Sequence, residues 1–158
     1  MAVMQEKKVV TVIPIVPKME FDEGVAVISK RKVCAYCRVS TDSEEQMASY
    51  DAQVSEYRKK ITENPDWTLV DIYADAGISG TNVKHRTQFN RMITNCYEKK
   101  IDLIITKSIS RFARNTVDCL EYVRKMKLIG VEIYFEKENI YSFDSKMELV
   151  LTMLSSIA

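Results

Sequence analysis

From Lys32 onward, short runs of β-branched and aliphatic residues alternate with longer stretches in which apolar positions recur at helical spacing. The runs predict strands over 33–39, 68–73, 103–106 and 131–135. Between them, 44–62, 89–99 and 116–129 read as helices. Asp42 or Ser43 is available to cap the first of these, Asn64-Pro65-Asp66 stops it, and Gly130 stands where a C-terminal glycine ends the third. Strands separated by helices imply right-handed crossovers. The expected fold is α/β, a mostly parallel sheet of about four to five strands with helices on both faces. Ligands of such sheets gather beyond the carboxyl ends of the strands. Ser40, the 75–81 loop and the 107–114 loop all fall there.

The two ends of the chain break this grammar. Residues 1–30 mix an apolar run, two prolines and scattered acids without a period, and read as an extended arm or hairpin outside the domain at 31–144. At 145–158, Met147, Leu149, Val150, Leu151, Met153, Leu154 and Ile157 leave almost no polar face. One stripe buried on the sheet cannot account for all of them, so a face meeting another chain is expected, with Met147, Val150, Leu151 and Leu154 as its residues. The finish at Ser155-Ser156-Ile157-Ala158 has no helix stop signal and points to a longer protein.

With 158 residues, 46% of them hydrophobic, the chain can bury one core. No apolar run approaches the ~18 residues of a membrane span. The Lys7-Lys8 pair before an apolar stretch imitates a signal peptide, but Pro14 and Pro17 interrupt that stretch and no small-residue cleavage site follows, so a cytoplasmic protein is expected. Cys34, Cys37, Cys96 and Cys119 lie inside periodic apolar segments, as reduced thiols do. Cys34 and Cys37, three apart on a strand, point to opposite faces and do not form a redox or zinc pair. Net charge is +1, which announces no long polyanion groove. Charge is uneven, however: residues 101–127 hold six basic residues against three acidic ones, a patch suited to a phosphate.

The run Tyr36-Cys37-Arg38-Val39-Ser40-Thr41 delivers a hydroxyl nucleophile to the end of a strand two residues from an arginine. A serine needs activation, yet the chain has one histidine, His85, and no G-x-S-x-G elbow, which argues against a Ser-His-Asp hydrolase. Arginine surrounds Ser40 instead, and its planar fork of donors suits phosphate oxygens. Arg38, Arg111 and Arg114 beside a serine make sense if the electrophile is a phosphodiester whose transition state gathers negative charge. No side-chain set has metal-ligand spacing, and no cofactor is implied. Each feature also has a plain reading. Ser40 with Arg38 fits a cap or a salt-bridging pair, Arg111 and Arg114 three apart on one helical face fit solvated charge, and Tyr36 fits core packing. Gly77 and Gly80 fit a turn, His85 the surface, and Lys107 either a phosphate contact or a solvated strand end. The concurrence of the three segments outweighs the plain readings.

Tyr-x-Arg-Val-Ser-Thr at 36–41, Gln53 on the next helix, Gly77-Ile78-Ser79-Gly80 with Arg86, and Arg111-x-x-Arg114 together resemble the catalytic domain of the serine recombinases, the resolvase/invertase family, over residues 32–158. The resemblance implies a resolvase-like fold and site-specific DNA recombination through a 5′-phosphoserine link, without metal or ATP. It implies that Ser40 is the nucleophile, that Arg38, Arg111 and Arg114 bind the scissile phosphate, and that Tyr36, Gln53, Ser79, Arg86 and Ser110 support them. Its implied partners are double-stranded DNA and further copies of the chain, a homodimer assembling into a synaptic tetramer through the helix that starts at 145, with an accessory directionality factor as a further candidate.

Ser110 stands where the small resolvases have aspartate, so an acid–base role of that aspartate does not transfer. The N-terminal arm and the wording Lys107-Ser-Ile-Ser-Arg-Phe-Ala-Arg-Asn115 resemble the large serine recombinases of conjugative transposons and phages, whose DNA-binding part lies downstream. Excision or integration of a bacterial or phage mobile element, and inactivity of residues 1–158 on their own, are the corresponding expectations. The alternatives are a nicking phosphodiesterase that hydrolyses the link and a non-enzymatic doubly wound module that binds an anionic partner.

Overall fold

The structure, a computed structural model, describes residues 19–22, 25–40, 44–77 and 86–157. Strands β1 (Met19–Asp22) and β2 (Val25–Ile28) form a separate antiparallel pair, with Met19 opposite Ile28. The main sheet contains β3 (Arg31–Ser40), β4 (Trp67–Gly77), β5 (Leu103–Thr106), β6 (Glu132–Phe135) and β7 (Ile140–Tyr141), in the order β4-β3-β5-β6-β7. The first four run parallel, and β7 returns antiparallel to β6. The expected mostly parallel α/β sheet is the fold observed.

The period-two pattern of β3 divides the core. Cys34 and Tyr36 face one side, where Phe89 and Met92 of α2 (Thr87–Tyr97), Phe112 of α3 (Ile109–Phe112), Val123 and Met126 of α4 (Thr116–Leu128), and Met147 and Leu151 of α5 (Ser145–Ile157) pack with them. Val33, Ala35 and Cys37 face the other, under Tyr57 and Ile61 of α1 (Glu44–Thr62). Cys34 and Cys37 therefore lie in different layers, and burial pushes the Cys34 thiol well above its ordinary range and Cys37 up to about 12.

Local chemistry sets the element ends. At the end of α4, the Gly130 amide bonds the Lys127 carbonyl and the Val131 amide the Met126 carbonyl, with Gly130 at φ +80°; this is the Schellman pairing, in which glycine avoids the Cβ penalty. Asn115 caps the start of that helix, its side chain accepting from the Asp118 amide at 2.9 Å. The cap expected from Asp42 or Ser43 lies outside the described residues.

Two expectations change. The stretch 107–114 is not all loop: Ser108 caps the short helix α3, and Ala113 then turns extended (φ −123°, ψ 162°). Arg111 and Arg114 therefore do not share a helical face, because the helix ends between them. In α5, Met147 and Leu151 are buried in the chain's own core and Val150 packs against it, so these three do not form a free interface face. The exposed apolar side chains of that helix are Leu149, Met153, Leu154 and Ile157. Among the described residues no helix is long and apolar enough to cross a membrane.

Candidate active site

A cleft of about 430 Å³ opens at the carboxyl ends of β3 and β5, lined by Tyr36, Arg38, Gln53, Lys107 and Arg111 and also by Glu56, Tyr57 and Glu136. Ser40 is the last residue of β3, in register with Gly77 of β4. Its main chain thus continues directly from the strand that carries Arg38. Residues 78–85, with Ser79 and Gly80, lie outside the described residues.

Arg38 and Arg111 are tied together. Arg38 Nη2 donates to the Ser110 carbonyl at 3.1 Å, and Arg111 Nη1 donates to the Arg38 carbonyl at 3.4 Å. The main chain of α3 and the end of β3 thereby hold each other, with both guanidiniums beside the cleft. Burial lowers the pKa of Arg38, and the nearby charges of Arg86 and Arg111 lower it further, while Tyr36 opposes them. Among the described residues no carboxylate forms an ion pair with Arg38, Arg86, Arg111, Arg114 or Lys107, whereas Arg31, Lys60, Arg91 and Arg124 each have one. Clustered cations left without an acid favour an anion from outside.

Arg86 faces inward rather than into this cleft. Its guanidinium stacks on Phe89 at 3.7 Å, its Nε donates to the Tyr36 hydroxyl at 3.2 Å, and its Nη2 bonds the Phe112 carbonyl. It joins the start of α2 to α3. Arg114 lies with it along a second cleft of about 270 Å³, bordered by Asp118, Glu121 and Tyr122. Of the residues singled out in the sequence, Tyr36, Arg38, Gln53 and Arg111 thus meet in one cleft and Arg114 stands in its neighbour. Gln53 bonds Ser49 at 3.4 Å. The Ser110 hydroxyl pairs with the Ser108 hydroxyl at 3.0 Å; it is the Ser110 carbonyl that meets an arginine.

Sequence reasoning missed two contributors and left a third open. Lys107, left open between two readings, lines the cleft beside Arg111. Glu136, also in the lining, accepts from the Tyr57 hydroxyl at 2.6 Å and is paired with Lys60, which offsets its charge. Asp75 accepts from the Tyr36 hydroxyl at 3.1 Å and from two amides of α2. An acid in the β4 run beside the strand that carries Arg38 was the available signal for Asp75. Among the described residues no group of three or more His, Cys, Asp or Glu side chains is placed to hold a metal ion. The positive charge at the cleft is that of arginine and lysine.

Comparison with known proteins adds to this geometry. The model of the family "Resolvase, N terminal domain" matches residues 33–158. A crystal structure of a resolvase family site-specific recombinase from Streptococcus pneumoniae is 35% identical, with 81% of this chain and 87% of that one covered and a TM-score of 0.67. The N-terminal catalytic domain of TP901-1 integrase is 26% identical, with coverage of 80% and 93% and a TM-score of 0.58. A serine recombinase from Sulfolobus solfataricus is also 26% identical, with coverage of 80% of each chain and a TM-score of 0.52. No curated protein sequence is matched.

Proposed function

The chain belongs to the resolvase N-terminal domain family, and from that premise we propose that it is the catalytic domain of a site-specific DNA recombinase whose nucleophile is Ser40. The Ser40 hydroxyl oxygen attacks a DNA phosphorus. A serine–phosphorus ester forms and the bond to the 3′ oxygen breaks, leaving a 5′-phosphoserine and a free 3′-hydroxyl that has taken up a proton. Because one phosphodiester replaces another, attack by a 3′-hydroxyl on the phosphoserine rejoins the strands without ATP. The reaction serves excision or integration of a mobile element in this reading.

The single observation that carries the proposal is the cluster of guanidiniums, without a carboxylate partner among the described residues, at the end of the strand that leads to Ser40. Arg38 and Arg111 bind the non-bridging oxygens, where charge grows in the transition state, and their main-chain bonds fix them before DNA arrives. Arg114 joins from the neighbouring cleft. The cations supply charge stabilisation that other phosphoryl-transfer enzymes draw from metal ions. Over the step, the proton leaving Ser40 balances the one the 3′ oxygen gains. DNA, a homodimer that assembles into a tetramer, and an accessory directionality factor are the partners in this reading.

Full-length protein incubated with a nicked suicide substrate should accumulate a covalent protein–DNA complex that Ser40→Ala abolishes. A complex that persists in Ser40→Ala would sink the assignment. Broken DNA recovered free of protein from an intact substrate would favour a nicking hydrolase instead.

A further inference from the structure

Three consecutive residues after β6 hold three different elements around the cleft. The turn 136–139 is closed on itself: the Asn139 amide donates to the Glu136 carbonyl at 3.1 Å, and the Tyr134 hydroxyl donates to Asn139 Oδ1 at 2.9 Å. Asn139 takes φ +51°, in the left-handed region that asparagine enters more readily than most side chains. The turn is also tied to the end of β5, where the Glu136 amide donates to the Thr106 carbonyl at 3.0 Å and the Lys137 amide to the Lys107 carbonyl at 2.8 Å. It is a fixed platform beside the strand end from which α3 departs.

The two acids of the turn reach from this platform to different helices. Glu136 accepts from the Tyr57 hydroxyl at 2.6 Å and pairs with Lys60, both on α1. Glu138 Oε1 accepts from the amide of Ile109, the first residue of α3, at 3.4 Å. The buried thiols report the same division. After burial itself, the charge of Glu136 raises the Cys37 pKa and that of Glu138 raises the Cys119 pKa, and these two thiols lie in different layers of the core.

Each contact falls where its helix has little other support. Along α1 the side chains at 47–56 are exposed or half-buried, and Tyr57 is the first buried one that follows. The part of α1 that brings Gln53 to the cleft, and that starts shortly after Ser40, therefore overhangs its anchor at Tyr57. Helix α3 is a single turn of four residues, too short to stand on its own ladder, and its first amides have no partner within it. Ser108 serves the Arg111 amide at 3.3 Å, and Glu138 serves the Ile109 amide.

We infer that the β6–β7 turn is a positioning element for strand cleavage, with Glu136 setting α1 and its Gln53, and Glu138 setting α3 and its Arg111, around the end of β3; the inference rests on the recombinase reading. Neither acid is asked to touch DNA. What each place requires is an acceptor oxygen, because the Tyr57 hydroxyl and the Ile109 amide are donors. Glutamine supplies that oxygen and alanine does not.

The test uses full-length protein, a nicked suicide substrate and single-turnover formation of the covalent complex at saturating DNA, with alanine and glutamine variants of Glu136 and Glu138. Each alanine variant should slow covalent capture roughly 10- to 100-fold with DNA affinity unchanged, the scale on which a small misplacement acts. Each glutamine variant should capture DNA near the wild-type rate. Ile101→Val, which removes a buried methyl at the amino end of β5, away from the turn, should lower thermal stability and leave the rate unchanged, so that general loosening of the fold is told apart from misplacement. Capture at the wild-type rate in either alanine variant, or glutamine variants as slow as the alanine ones, would overturn the inference and leave Ser40 as the nucleophile. A wild-type protein that forms no Ser40-dependent complex would overturn the recombinase reading and this inference with it.

Discussion

Arg111 and Arg38 each hold the other's segment: Arg111 Nη1 donates to the Arg38 carbonyl, and Arg38 Nη2 donates to the carbonyl of Ser110, the residue before Arg111. Neither guanidinium spends an ion pair on doing so among the described residues. Both keep donors for a phosphate while their stems are fixed, the arrangement that makes electrostatic stabilisation effective.

Replacing Arg111 by alanine should therefore reduce covalent capture of DNA by about 100- to 1000-fold, the scale for losing one donor to a developing oxyanion. Arg111→Lys should recover little, because a lysine has no fork with which to hold the Arg38 carbonyl and a phosphate together. Single-turnover rates on nicked DNA check both. Recovery to within a factor of a few by lysine would mean that Arg111 acts only as a point charge.

The contact between Tyr57 and Glu136, both in the cleft lining, yields a stability prediction. Glu136 accepts from the hydroxyl of the buried Tyr57 and pairs with Lys60. Glu136→Ala should leave the hydroxyl without a protein acceptor at a cost of about 1–3 kcal/mol, while Tyr57→Phe, which removes the donor as well, should cost about 1 kcal/mol. Urea denaturation of the three proteins gives the comparison, and equal losses would show that Tyr57 finds water once Glu136 is gone.

Most of the sheet was legible because its strands are short aliphatic and β-branched runs, and at 33–39 the alternation places Cys34 and Tyr36 in one layer and Val33, Ala35 and Cys37 in the other. The missed elements are those too short to have a period, α3 with four residues and β7 with two. In α5 nearly every position is apolar, so the pattern announced two faces without saying which one the chain itself buries. Ser40, Arg38 and Arg111 stood out through residue type and spacing. The contacts of Asp75 did not, because its partners come from β3 and the start of α2 and meet only when the sheet has formed.

That distinction in α5 can be measured. Leu151→Ala, which empties a fully buried site, should cost about 2–5 kcal/mol. Leu149→Glu and Ile157→Glu, both on exposed positions, should change stability by less than about 0.5 kcal/mol yet weaken self-association of the full-length protein if α5 meets a second copy. Thermal denaturation and sedimentation together separate the effects. Undiminished self-association in the double glutamate variant would move the interface elsewhere.

Buried thiols and hydroxyls make the fold sensitive to base. Burial raises Cys37, Cys96 and Cys119 from 9.0 to about 12 and Tyr36 from 10.0 to about 12. Between the lower and upper values the unfolded chain releases protons that the folded chain retains, so stability is fully present below pH 9 and falls as pH rises toward 12. Each fully shifted group contributes a slope of at most about 1.4 kcal/mol per pH unit in that window. Urea midpoints should be flat from neutrality to about pH 8.5 and then decline, and Cys119→Ala should make the decline shallower. A midpoint that rises above pH 9 would contradict the burial of these groups.

Residues 1–158 alone should bind DNA weakly. Tight, salt-sensitive binding normally draws on roughly six to ten phosphate contacts. The chain's net charge is only +1, and apart from Arg86, which is spent on Tyr36, Phe89 and the Phe112 carbonyl, the cations at its clefts without a described carboxylate partner are Arg38, Lys107, Arg111 and Arg114. Four such contacts at most correspond to a slope of log K against log salt near about −3.6. Fluorescence anisotropy at two salt concentrations should then give a Kd weaker than about 1 μM at physiological salt, in the range of non-specific binding. A micromolar or tighter Kd with a slope near about −8 would require a DNA-binding surface beyond these two clefts.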